Sequence, residues 1–186
     1  MIGKMIVLER DAYQTFMESQ KASKYSRATL VMVGVIYGMM AVIANLQFLS
    51  GFDSLFLGFV IAPFLLIALG ILMAVVTKFG LTLLLWAGAR AFGGPGRMKE
   101  VNQIVSISLL PGLLSAPFLI GIDILSLSLI LVIIGLFFGI GWMYLICVRI
   151  IETTQQFSKA KAYLSVLASF VFFTSVYYLI LPVPTL

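Results

Sequence analysis

Between Leu55 and Phe92 the sequence carries only two charged residues, Lys78 and Arg90. As one helix this run would be roughly 57 Å long, against a bilayer hydrocarbon core of about 30 Å. It is too long for one simple span, and it lacks the polar turn that would divide it into two. Further apolar runs flank it, roughly at Ala28–Leu49, Val101–Ile122, Leu125–Val148 and Ala162–Leu181. Charged residues make up 10% of the 186-residue chain and hydrophobic residues 62%, with mean hydropathy +1.15. A soluble domain carries about 25% charged residues, so this chain could not cover a globular surface of its own. The apolar residues come in blocks and do not alternate, which argues against a transmembrane barrel. The expected fold class is all-α, a polytopic membrane helical bundle of about five transmembrane helices.

Three layouts compete for Leu55–Phe92. A short lead-in ending near Pro63 can precede one long tilted helix. A span to about Thr77 can be followed by an interfacial segment over Phe79–Phe92. Two full spans can turn near Lys78. Charge positions remove the third. Lys4, Arg10, Lys21, Lys24 and Arg27 precede the first span; Arg90, Arg97 and Lys99 follow the second; Arg149, Lys159 and Lys161 follow the fourth. The other two loops carry only Asp53 and Asp123. With five spans, all of the 12 Lys and Arg residues except Lys78 fall on one side. The positive-inside rule makes that side the cytoplasm, giving an N-inside, C-outside topology. Residues 1–27 are then a cytoplasmic N-terminal segment, 28–181 a five-span membrane domain and 182–186 a short outer tail.

The N-terminal segment is partly amphipathic. Tyr13, Phe16 and Met17 follow i, i+3, i+4 spacing and mark a helix side that touches the membrane or the bundle. Lys21, Lys24 and Arg27 form a juxtamembrane basic cluster suited to an anionic inner leaflet. A partner-binding helix is the rival reading.

The net charge of +5 is the positive-inside excess and not a nucleic-acid footprint. The chain has no histidine. That removes His-based acid–base catalysis and His metal ligands. Cys147 is the single cysteine, so no intrachain disulfide can form. In its apolar run it reads as a small buried hydrophobe. No catalytic residue, metal or cofactor is expected. No cleavable signal is expected either: the apolar stretch Met5–Leu8 is short, and Glu9, Arg10 and Asp11 follow directly.

Several constellations remain. Gly34–Gly38 and Gly135–Gly139 are G-x-x-x-G motifs, which let helix backbones approach closely. They serve packing within the chain or a partner helix. Lys78 is either an intramembrane functional charge, pairing with Asp53, Asp123 or a carbonyl freed near Pro111, or a lysine snorkelling to the inner headgroups. Pro111 and Pro117 are expected to kink the third span, with Ser106, Ser108 and Ser115 near enough to help. Gly93–Gly94–Pro95–Gly96 lacks phosphate-loop spacing. It reads as a rigid turn presenting Arg90, Arg97, Lys99 and Glu100. Asp53 and Asp123 read as solvated turn residues. Trp86 and Trp142 lie where interfacial aromatics are expected.

The string Trp86–Ala87–Gly88–Ala89–Arg90–Ala91–Phe92–Gly93–Gly94, then a short basic loop and Ser106–Ile107–Ser108–Leu109–Leu110–Pro111, resembles the Yip1 family of five-span membrane proteins. Trp142, and Ser158–Lys159–Ala160–Lys161–Ala162 before the fifth span, are similar to the same pattern. The resemblance covers roughly residues 28–181. It implies binding of membrane partners, which in eukaryotic members are Rab GTPases and trafficking proteins. Those members carry a longer polar N-terminal region than the 27 residues here, which points to a prokaryotic member in the cell membrane. Some prokaryotic relatives resemble accessory subunits of ABC exporters in toxin resistance or envelope stress. The family offers no catalytic residues to carry over. The expected function is a non-enzymatic membrane accessory or scaffold protein. Its expected partners are the lipid bilayer and other membrane proteins, an ABC transporter or a second copy of the chain among them, and no nucleic acid. A small transporter or channel built around Pro111, Pro117 and Lys78 is the alternative. An enzyme acting on lipid ranks third.

Overall fold

A computed structural model describes residues 2–119 and 129–180. Helices α1 (Ile2–Ile6) and α2 (Arg10–Glu18) precede α3 (Ala22–Ala44), and a short α4 (Leu46–Ser50) follows. A π-helical stretch over Leu57–Ile61 leads into α5 (Ala62–Ala91). Next come α6 (Met98–Ile104), a 3₁₀ turn over Val105–Ser108 and α7 (Leu109–Leu119), then α8 (Leu129–Thr154) and α9 (Lys159–Ile180). The described residues contain no strand. Among the described residues four segments, Ala22–Ala44, Leu57–Ala91, Ile130–Thr154 and Lys159–Val176, are long and apolar enough to cross a membrane.

Leu55–Phe92 is therefore a short lead-in and one long helix, the first of the three layouts. The π-helical stretch sits immediately before Pro63. Proline offers no N–H to the Phe59 carbonyl and crowds it, and a widened turn accommodates both effects. The first predicted span, Ala28–Leu49, is instead α3 and α4. Asn45 Nδ2 donates to the Ala41 carbonyl at 2.8 Å, at the point where α3 stops.

The third predicted span differs most. It is not a single proline-kinked helix. It tightens into the 3₁₀ turn, and Pro111 lies in the first turn of α7. There its missing N–H falls among groups that lack a helical acceptor anyway. Pro117 does lie inside α7. The three serines do other work than expected. Ser108 Oγ donates to the Val105 carbonyl at 2.7 Å, and Ser106 Oγ is 3.0 Å from Ser26 Oγ on α3. Ser115 Oγ reaches the Leu136 carbonyl of α8 at 3.4 Å. Asp123, the junction between the third and fourth expected spans, and the tail at 182–186 lie outside the described residues.

Packing follows the small residues. α3 and α5 form an antiparallel hairpin. A Cβ on Gly34 would lie 2.6 Å from Ile71 Cα, and one on Gly38 would meet the Ile67 backbone. Gly70 faces both glycines from α5. In lipid, dispersion across such close backbones replaces the hydrophobic drive between helices. α8 packs on α7, where a Cβ on Gly139 would collide with Ser115. α9 packs on α5, with Ser169 Oγ donating to the Leu84 carbonyl at 3.1 Å.

This arrangement gathers one set of helix ends. The start of α3, the end of α5, the start of α6, the end of α8 and the start of α9 lie together, with α1 and α2 folded against them. Met5, Tyr13 and Phe16 are fully buried in one cluster with Ile104, Ile107, Ile146 and Ile150. Burying side chains such as Met5 and Phe16 stabilises by roughly 1.5–3 kcal/mol each over leaving them exposed. The N-terminal segment is thus part of the fold, and the predicted face of α2 meets the bundle.

Candidate functional site at the basic end

The loop after α5 begins with a helix stop. Gly93 has φ +76, a left-handed conformation that glycine adopts without a Cβ penalty. Its N–H donates to the Arg90 carbonyl at 2.9 Å, and the Gly94 N–H donates to the Ala89 carbonyl at 2.9 Å. Together these bonds form a Schellman motif that satisfies carbonyls left open at the end of α5. The loop then lies on the end of α8. Gly96 N–H donates to Gln155 Oε1 at 2.9 Å. A Cβ on Gly94 would meet that same oxygen, and one on Gly96 would meet the Thr154 carbonyl. Gln155 is 1% exposed. The glycines thus permit a backbone-to-helix latch. Arg90 lies over the Trp86 ring at 5.7 Å, and Arg97 and Lys99 remain exposed. The carboxylate of Glu100 accepts the Arg97 N–H at 3.2 Å, which caps α6.

A second latch holds the N-terminus. Trp142 Nε1 donates to the Ile6 carbonyl at 2.9 Å, and the Tyr13 hydroxyl donates to the Met5 carbonyl at 2.6 Å. Between them the chain reverses at Leu8, with φ +66. Burial raises the Tyr13 phenol above its ordinary range, with Cys147 adding to the shift and Arg149 opposing it. It remains a protonated donor at neutral pH. On α8, Glu152 is 2% exposed. Its carboxylate lies 2.7 Å from Arg149 Nη1 and 3.6 Å from Arg10 Nη2 of α2. Trp142 therefore serves as an anchor for the N-terminal helices. The sequence reading missed Glu152 and Gln155. One signal for them was available: two polar residues in an otherwise apolar helix end.

Lys78 belongs to this same end. The close contacts of Gly34 with Ile71 and Gly38 with Ile67 set the hairpin register. Continued two turns toward the start of α3, that register sets Arg27 opposite Lys78. Both line a polar cavity of about 420 Å³ with Lys99, Ser23, Asn102 and Gln103. Lys78 is 7% exposed. The expected pairing with Asp53 does not occur, because Asp53 lies at the opposite end of the hairpin. Pro111 sits in α7, away from this cavity's lining. Beyond Lys78, Leu30, Val33, Ala74 and Leu109 pack together between α3, α5 and α7, and a second, mostly apolar cavity of about 390 Å³ opens beside them, lined by Tyr37, Gly70, Met73, Ala74, Thr77 and Leu109.

The glycine motifs divide. Gly34 and Gly38 face α5, and Gly139 faces α7, so their small surfaces are used within the chain. The carbonyl of Gly135 lies 3.5 Å from Ser115 Oγ. Gly141 is different: a Cβ there would meet nothing within 4 Å. It opens onto an apolar groove of about 420 Å³ between α8 and α9, lined by Leu136, Phe137, Ile140, Tyr144, Leu167 and Phe170. Tyr144 braces the groove, its ring edge-to-face with Phe170 at 5.6 Å and its hydroxyl donating to the Tyr163 carbonyl at 3.0 Å.

The described residues contain no cluster of three or more His, Cys, Asp or Glu that could hold a metal ion. The Yip1 domain matches residues 7–181. The chain belongs to the Yip1 family. The match begins after α1 and takes in α2, the glycine loop, Trp142 and the Glu152–Gln155 region, while the latch acceptors Met5 and Ile6 precede it. Comparison with curated proteins and with solved structures found no match. Family and apolar helices together make this a multi-pass membrane protein.

Proposed function

We propose that this Yip1-family chain is a non-enzymatic accessory protein that binds another membrane protein. The observation that carries the reading is the α8–α9 groove with Gly141 open at its floor. Small residues on an open helix face favour close approach of a second helix in lipid. The basic end faces the cytoplasm by the positive-inside rule, in a five-span topology and a prokaryotic cell membrane. An ABC exporter or an envelope-stress complex is the most specific partner, and it rests on the resemblance to prokaryotic relatives.

The test is mild crosslinking and pull-down of a tagged copy from native membranes. Wild type is compared with Gly141→Ile, which fills the groove, and Gly80→Ile, which adds a side chain to open space on α5. A stoichiometric membrane-protein partner should be retained by Gly80→Ile and reduced about tenfold by Gly141→Ile, the loss expected when a close helix contact is blocked. Equal recovery from all three proteins, or self-crosslinked chains alone, contradicts the reading.

A further inference from the structure

We infer that the cavity around Lys78 is an anion-binding site for a phosphate group, carried by a lipid headgroup or a small soluble phosphate. Three cations, Lys78, Arg27 and Lys99, line one cavity, and no carboxylate lines it with them. None of the three has a carboxylate oxygen within 4.0 Å among the described residues. A buried cation is costly without a counter-charge, and three like charges facing one space raise that cost. Snorkelling alone would need only a watery exit for Lys78. It gives no reason for Arg27 and Lys99 to line the same space.

The remaining lining is neutral and rich in hydrogen-bonding groups. Ser23 supplies a hydroxyl, and Asn102 and Gln103 supply amides. Asn102 Oδ1 is buried with no hydrogen-bond partner, and an amide carries two N–H donors beside that oxygen. Lys78 forms the floor and the exposed Arg27 and Lys99 the rim. A guanidinium, two ammonium groups and neutral donors suit a tetrahedral phosphate, whose oxygens accept several charge-assisted bonds at once. The cavity lies among the basic helix ends, the level at which an anionic headgroup enters from its leaflet. This site is independent of the partner groove: it lies between α3, α5 and α6, not between α8 and α9.

The experiment uses the full chain in two arms. In neutral detergent, inorganic phosphate and sn-glycerol 3-phosphate are titrated by calorimetry. In nanodiscs of phosphatidylcholine containing phosphatidylglycerol, retained anionic lipid is counted by native mass spectrometry. Each arm compares wild type, Lys78→Gln, the rim double variant Arg27→Gln/Lys99→Gln, and the control Lys21→Gln/Lys24→Gln, which removes two exposed charges outside the cavity. Binding in either arm should weaken about tenfold or more in the two cavity variants, the loss of one or more charge-assisted bonds. The control should stay within about twofold of wild type, as expected for screened surface charges. Cavity-dependent retention of phosphatidylglycerol alone identifies a lipid headgroup. Cavity-dependent binding of the soluble phosphates identifies a free phosphate. Absence of binding in both arms overturns the proposal, as does binding that falls equally in the control. The rim variant changes only exposed side chains, so its loss of binding cannot be attributed to unfolding.

Discussion

The middle of the bundle and its basic end are held together by different means. In the middle, α3 and α5 touch through glycine, with backbone against backbone and no polar link. At the basic end, the contacts are addressed one by one: Gln155 to Gly96, Trp142 to Ile6, and Glu152 to Arg149 and Arg10. The contrast follows the solvent. In hydrocarbon, close packing is the main force between helices. At the membrane edge water competes for polar groups, and apolar burial again becomes favourable. Met5, Tyr13 and Phe16 can then dock where a free amphipathic segment would otherwise lie on the surface.

The largest expected effect breaks the middle. Gly38→Leu places side-chain atoms where the Ile67 backbone lies. Neither partner can move as a flexible side chain would. The loss should reach about 3 kcal/mol or more, at or above the usual range for overpacking. Size-exclusion chromatography and thermal unfolding in detergent should show aggregation or a strongly lowered midpoint.

Next is the ion cluster of the basic end. Glu152→Gln leaves Arg149 half-buried without its carboxylate. The cost should be about 2 kcal/mol, below the 3–5 kcal/mol of a fully buried pair, because Arg10 is largely exposed. Unlike Gly38→Leu, it should leave the α3–α5 hairpin intact. Hydrogen exchange should accelerate over residues 2–18 and remain unchanged over residues 62–77. A uniform increase would erase the distinction between the two regions.

Trp142→Phe removes one hydrogen bond to Ile6 and keeps most of the ring packing. About 1 kcal/mol is expected, visible as faster limited proteolysis within residues 2–18. The smallest effect is Gly80→Leu on the outer face of α5, where an added side chain meets open space. Its thermal midpoint should match a change within about 0.5 kcal/mol. A large loss there would mean that this face is packed after all.

Much of the fold was legible because span-length apolar runs and basic loops report membrane crossing directly. The all-helical class follows from them, and so does the exclusion of two full spans within Leu55–Phe92. They do not choose between one long helix and a span with an interfacial segment, and the spacing of Tyr13, Phe16 and Met17 marks a packed face of α2 without choosing membrane or bundle. The break at Val105–Ser108 was not legible, because a proline in an apolar run fits a kink as well as a helix start. The site was less legible. Lys78 stood out as a charge in an apolar run, but the sequence suggested opposite charges as its neighbours. What surrounds it is decided by the glycine register that brings Arg27 across from α3. No local pattern announces that pairing. For Gly34 and Gly38 the motif allows packing within the chain or against a partner, and the register decides for the chain, whereas Gly141, outside any G-x-x-x-G motif, lies open along the α8–α9 groove.

The most direct test of the central claim is site-specific photo-crosslinking in native membranes. A photoreactive phenylalanine analogue is placed at Ile140 in the α8–α9 groove and, separately, at Phe79 on the outer face of α5. The account predicts a discrete adduct with another membrane protein from Ile140 and none from Phe79. No protein adduct from Ile140, or the same adducts from both positions, would contradict it.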